Sequence, residues 1–163
     1  MVNAFNRIGA VSFLLGSLFL TGCNVMPSDQ YQLNALNEDN DFKVIYEPER
    51  TLVILSSDEI FLLNTSKFRD DHRELLEKIG KFVAHQSKDL KIIIKSFSDT
   101  VPSPGSAKDT TQAQAEAIAA YLWSKGVEAS RLSFQGQGAS HPVSSNVTPE
   151  GSAQNRRIEI SLG

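Results

Sequence analysis

The chain has 163 residues, enough for one domain of ordinary size. Hydrophobic residues make up 40% and charged residues 21%, a balance that suits a packed core rather than a disordered tail. The net charge of −3 argues against a nucleic-acid binder, which needs a basic face, and the single cysteine, Cys23, excludes an internal disulfide framework or a multi-thiolate zinc site.

The first segment carries Arg7 and no acid, then a 13-residue apolar run from Ile8 to Leu20. As a helix that run measures about 20 Å, short of the ~30 Å hydrocarbon core of a bilayer. A basic start, a short apolar run and small residues predict a secretory signal over residues 1–22. The run ends Leu20-Thr21-Gly22-Cys23, which resembles the lipobox of bacterial lipoproteins. That resemblance implies lipidation of Cys23 and cleavage before it. With Asn24 rather than aspartate next, it implies the outer membrane, with the protein on its periplasmic face. Several acyl chains on one residue anchor durably, since each buried CH₂ contributes about 0.8 kcal/mol.

Residues 23–50 read as a lipidated tether, polar and irregular, in which Tyr31, Leu33 and Leu36 are candidates for a short docking element. Fully extended, 25 residues reach about 80–90 Å. The run Asn37-Glu38-Asp39-Asn40-Asp41 lacks the turn glycine and closing glutamate of a calcium loop, because Phe42 and Pro48 stand there.

Residues 51–163 read as the folded domain. Thr51–Leu55 is a buried strand by its β-branched and aliphatic content. Phe68, His72, Leu75, Leu76, Ile79, Phe82 and Val83 recur at helical spacing, with Asp70 and Asp71 in the first turn. Lys91–Phe97 is a second strand, followed by a Ser-, Pro- and Gly-rich loop to about Lys108. A second helix is predicted over about Thr110–Lys125, buried through Ala115, Ile118, Ala119 and Leu122 and stopped by Gly126. Arg131–Gln135 and Arg156–Leu162 complete the strands. The order β-α-β-α-β-β predicts an α/β (α+β) sandwich: a small mixed sheet with two main helices on one face.

The last third carries three motifs in order. They are Gly136-Gln137-Gly138 with Pro142, Asn146-Val147-Thr148-Pro149-Glu150-Gly151, and Asn155-Arg156-Arg157-Ile158-Glu159-Ile160. With Lys125-Gly126-Val127 and Ser57-Asp58-Glu59-Ile60-Phe61, they resemble the OmpA C-terminal, or peptidoglycan-associated lipoprotein-like, domain over residues 51–163. The resemblance implies non-covalent binding of peptidoglycan through the diaminopimelate of a stem peptide. An aspartate takes the ammonium, an arginine fifteen residues on takes the carboxylate, and the first arginine of the N-R-R motif lies near. Asp99 matches the aspartate and Arg156 the N-R-R arginine, but Gln114 stands where the family has its second-helix arginine. An amide lacks the charge and the two-pronged geometry of a guanidinium, a loss of about 1–2 kcal/mol in binding. Asp99 has plainer readings, as a helix cap or a partner of Lys108.

Two functions follow as expectations. One is an outer-membrane lipoprotein tying the envelope to peptidoglycan through Asp99, Gln114 and Arg156. The other is a structural subunit of an envelope protein complex with a degenerate ligand site. The latter is suggested by similarity to the short lipidated OmpA-like subunits of secretion systems, including the Dot/Icm type IV class. No cofactor or metal site is expected, since His72, His85 and His141 lie in separate elements. No enzyme is expected either, since a G-x-S-x-G elbow is absent and Gly136-x-Gly138 leads into Pro142 rather than a helix.

Overall fold

A computed structural model describes residues 42–99 and 104–163. The expected signal peptide, the expected lipidation site Cys23 and the expected tether up to residue 41 lie outside the described residues. Five strands form one mixed sheet: β1 (Phe42–Glu47), β2 (Arg50–Ser56), β3 (Ile92–Phe97), β4 (Leu132–Gly138) and β5 (Arg157–Leu162). Their order across the sheet is β1-β2-β5-β3-β4. β5 runs antiparallel to both β2 and β3, and β4 is parallel to β3. Among the described residues four α-helices accompany them: α1 (Ser57–Ile60), α2 (Arg73–Ala84), α3 (Pro104–Ser124) and α4 (Pro149–Asn155).

The pleat divides the sheet's residues between two faces. Val53 and Leu55 of β2, Ile92 and Ile94 of β3, and Ile158, Ile160 and Leu162 of β5 point to one face and are buried there. Leu75, Leu76, Ile79, Phe82 and Val83 of α2, with Ala115, Ile118, Ala119 and Leu122 of α3, close over them. Each large side chain so buried contributes about 1.5–3 kcal/mol relative to exposure. The sandwich is therefore as predicted, with both long helices on one face. The opposite face has no long helix over it, and Ile93 there is 42% exposed.

Three elements depart from the sequence expectation. Phe42–Glu47, placed in the tether, is edge strand β1, paired with β2 from Phe42↔Leu55 to Glu47↔Arg50. Pro48 and Glu49 look like linker punctuation but form the two-residue turn of this hairpin, and Arg50 Nε donates to Glu47 Oε2 across it at 2.6 Å. The folded unit thus begins at or before Phe42 rather than at Thr51. The second main helix starts at Pro104, not near Thr110, because proline suits a first helical position where its missing N–H costs nothing. His72, expected on the core face of a helix, precedes α2 in a 3-10 turn and stands 3.1 Å from Glu59. Phe68 also precedes the helix and stacks on Phe61 at 5.0 Å.

The stop of α3 follows its sequence signal closely. Gly126 has φ +96°, Val127 N–H donates to Leu122 O at 3.1 Å, and Gly126 N–H donates to Trp123 O at 2.9 Å. This doubly bonded cap satisfies carbonyls that the helix leaves open and turns the chain towards β4.

Candidate ligand pocket

β3 ends at Phe97, and the chain passes directly through Ser98 to Asp99. α1 begins one residue after β2 and carries Asp58 in its first turn. Arg156 immediately precedes β5, the strand lying between β2 and β3, so it meets both acids. Its Nη1 donates to Asp99 Oδ2 at 2.6 Å. Its Nε donates to Asp58 Oδ1 at 2.9 Å and its Nη2 to Asp58 Oδ2 at 2.7 Å. The fork of the guanidinium therefore grips Asp58 with one edge and reaches Asp99 with the other. The Arg156 and Asp99 side chains retain only 19% and 18% of their exposure. These bonds, that to Asp58 foremost, hold the Arg156 guanidinium above its ordinary pKa, so it stays charged throughout the working range.

Asp99 is thus an ion-pair partner of Arg156 and not of Lys108, whose ammonium donates to the carbonyl of Gly136. Ser98 Oγ adds a long contact of 3.4 Å to Asp99 Oδ1.

Gln114 lines the same pocket from α3, together with Ser57, Phe61, Phe97 and Thr111. It is buried, with 6% of its surface exposed, and both ends of its amide are engaged. Its Oε1 accepts from Ser96 Oγ at 2.7 Å, and its Nε2 donates to the carbonyl of Thr65 at 2.8 Å. The side chain therefore braces β3 against the segment between α1 and α2. The space remaining in the pocket is about 10 Å³, roughly one water.

The matched motifs have visible structural work. A Cβ on Gly136 would sit 2.2 Å from the backbone nitrogen of Gln112, so only glycine lets β4 pass α3 this closely. Gly136 N–H donates to Gln112 Oε1 at 2.8 Å, and Gly138 N–H to Thr111 Oγ1 at 2.9 Å. Asn155 is fully buried and ties the loop before α4. Its Oδ1 accepts from Val143 and Ser144 N–H, and its Nδ2 donates to Ser144 O and Asn146 Oδ1. Thr148 caps α4 by accepting from Gly151 N–H at 3.1 Å. Arg157 stacks on Phe97 at 3.8 Å and donates to Glu159.

A sequence model of the OmpA family matches residues 60–156, more than half of the chain. The chain belongs to the OmpA family. It is 32% identical over 118 residues to Outer membrane protein A of Bordetella avium, covering 71% of this chain and 59% of that protein. It is 36% identical over 72 residues to the peptidoglycan-binding protein ArfA of Mycobacterium bovis, covering 44% of this chain and 22% of ArfA. The chain thus spans less than two thirds of the first relative and less than a quarter of the second. Among solved structures, the cell wall anchor of the T6SS from Pseudomonas aeruginosa superposes with a TM-score of 0.72 at 24% identity, covering 83% of this chain and 96% of the other. A MotB-like protein from Desulfovibrio vulgaris superposes at 0.73 with 20% identity, covering 82% and 85%. These two likenesses concern the fold.

Of the residues singled out from the OmpA-like pattern, the structure brings Asp99 and Arg156 into direct contact and sets Gln114 on the wall of the adjoining pocket. Asp58, to which sequence reasoning gave no role, completes the triad. Its signal was present in the Ser57-Asp58-Glu59-Ile60-Phe61 match, but its partner lies 98 residues away. Among the described residues, no three His, Cys, Asp or Glu side chains are placed to hold a metal ion, and no helix is long and apolar enough to cross a membrane.

Proposed function

We propose that this chain is a lipid-anchored protein of the outer membrane whose OmpA-like domain, on the periplasmic side, binds the diaminopimelate end of a peptidoglycan stem peptide without covalent chemistry. The observation that carries this reading is the Arg156–Asp99 pair at 2.6 Å, with Arg156 gripped separately by Asp58. A zwitterion is the natural guest for such a pair. Its ammonium goes to Asp99 and its carboxylate to the freed Nη1 of Arg156, so neither charge loses hydration without a partner. Asp58 keeps the guanidinium in place while the contact to Asp99 opens. Gln114 supports the wall of the site through Ser96 and Thr65 rather than supplying a second cation. The anchoring part of the reading rests on Leu20-Thr21-Gly22-Cys23.

A second reading has its own observation. The amide of Gln114 is bonded at both ends and the pocket holds about 10 Å³, which favours a structural subunit of an envelope complex, such as a Dot/Icm-like type IV secretion system, with a ligand site that no longer works.

The deciding experiment is sedimentation of the chain with purified peptidoglycan, in wild type, Asp99→Ala and Gln114→Arg forms. Retention of wild type and its loss in Asp99→Ala is the expected result. A wild type that stays in solution while Gln114→Arg sediments selects the second reading. Mass spectrometry of the amino terminus tests the anchor, which requires fatty acids on Cys23.

A further inference from the structure

Two acids and one base meet at the pocket: Asp58 and Asp99 as carboxylates, and the Arg156 guanidinium between them. Asp58 and Arg156 are the charged groups on the pocket wall itself. Where the OmpA-like resemblance implies a second arginine, Gln114 is neutral, and its amide is bonded to Ser96 and Thr65. The first base after Asp99 in the sequence is Lys108, and its ammonium donates to the carbonyl of Gly136 instead. The site therefore has a surplus of one negative charge. All three charged side chains are at least two-thirds buried, so water screens that surplus only in part.

The Arg156–Asp99 pair taken alone suits a zwitterion, but counting Asp58 shifts the balance. A ligand ammonium on Asp99 cancels the surplus, Asp58 balances Arg156, and the site is neutral. A ligand carboxylate beside that ammonium would be a third anion for two cations. A carboxamide in the same place adds no charge. Its oxygen accepts from the Nη1 that Asp99 releases, and its N–H groups find neutral oxygen acceptors on the side chains of Asn64, Ser98 and Thr110, which line the pocket. An unbalanced charge in part-buried surroundings costs more than a neutral hydrogen bond in its place.

We infer that the site takes a diaminopimelate whose free carboxyl group is amidated, in preference to the zwitterion with a free carboxylate. The inference rests on the peptidoglycan reading above and narrows its ligand. Gln114 sets the preference by withholding a second cation, and Asp58 sets it by neutralising the first.

Calorimetric titration of the full chain tests it, with two synthetic stem peptides that differ only at the distal carboxyl group of diaminopimelate. One carries a carboxylate there and the other a carboxamide. At low ionic strength the carboxamide peptide binds about tenfold more tightly, the scale of one unbalanced charge at a part-buried site. Asp58→Asn keeps the shape of the side chain and removes one negative charge, so the preference turns towards the carboxylate peptide. Gln114→Arg adds a positive charge and turns it the same way. A merely structural role for either residue would weaken both peptides together and leave their ratio unchanged. Wild type that binds the carboxylate peptide as tightly as the carboxamide overturns the inference and leaves the peptidoglycan reading standing. A ratio unmoved in Asp58→Asn overturns it as well, whether or not Gln114→Arg folds. Binding of neither peptide overturns the peptidoglycan reading and this inference with it.

Discussion

Asn155 and Gln114 are both buried amides, yet they organise their surroundings differently. Asn155 spends four hydrogen bonds on one short stretch, residues 143–146, and turns that loop into a fixed unit. Gln114 makes two bonds to elements far apart in sequence, Ser96 on β3 and the carbonyl of Thr65. Asn155 belongs to a segment expected from the OmpA-like resemblance, while at Gln114 that resemblance implies an arginine instead. Both nevertheless act as scaffolding. A family match therefore need not mark a ligand contact, and a departure need not leave a hole. The charges gathered at the pocket's rim are those of Asp58, Asp99 and Arg156.

That contrast can be attacked in several ways. The largest effect is expected outside the pocket, at Gly136→Val. Its Cβ would meet backbone atoms of Gln112 that cannot move aside, at a cost of about 4 kcal/mol or more, read as loss of the cooperative unfolding transition in urea. Asn155→Ala should cost about 2 kcal/mol, since two N–H groups and a carbonyl lose a fully buried partner, and amide exchange should quicken over residues 143–146 before it does elsewhere. Arg156→Ala leaves Asp58 and Asp99 facing each other without a cation, a loss of about 2 kcal/mol in denaturant titration. Arg156→Lys restores the charge but not the fork, so it should recover part of the stability and little of any zwitterion binding. Gln114→Leu should cost about 1–2 kcal/mol and loosen the segment around Thr65. An unchanged stability would show that the amide braces nothing.

The smallest effect concerns the hairpin at the other edge. Hydrogen bonding to Arg50 lowers the Glu47 pKa, so this contribution to stability is present above the unfolded-state pKa and fades as pH falls through the lower folded value. Arg50→Gln should shift the Glu47 titration midpoint upward towards the ordinary carboxylate range in an NMR titration. Stability should barely change, because the pair is exposed and screened.

The strands and helices that show in the sequence are those with enough length for a pattern to repeat: α2, the buried part of α3, and the strands β2, β3, β4 and β5. β1 escapes because half of it faces solvent and its turn, Pro48-Glu49, has the composition of a linker. α1 and α4 are too short for a helical period, and α4 in particular is fixed by Thr148 and the Asn155 loop rather than by an apolar face. In the pocket, Asp99 and Arg156 are legible because family motifs flag them. Asp58 is not, because only the sheet order brings it to Arg156. The role of Gln114 was hidden more deeply, since one of its partners is the backbone carbonyl of Thr65, and a carbonyl has no side-chain signature.

β5 is the last of the five strands in sequence but sits in the middle of the sheet, hydrogen-bonded on both sides. The β1–β2 hairpin and the β3–β4 pair share no strand pairing until this keystone arrives. During synthesis, where the amino terminus leads, the sheet consequently stays open until Arg157–Leu162 has left the ribosome, so closure of the fold is the last event of making the chain.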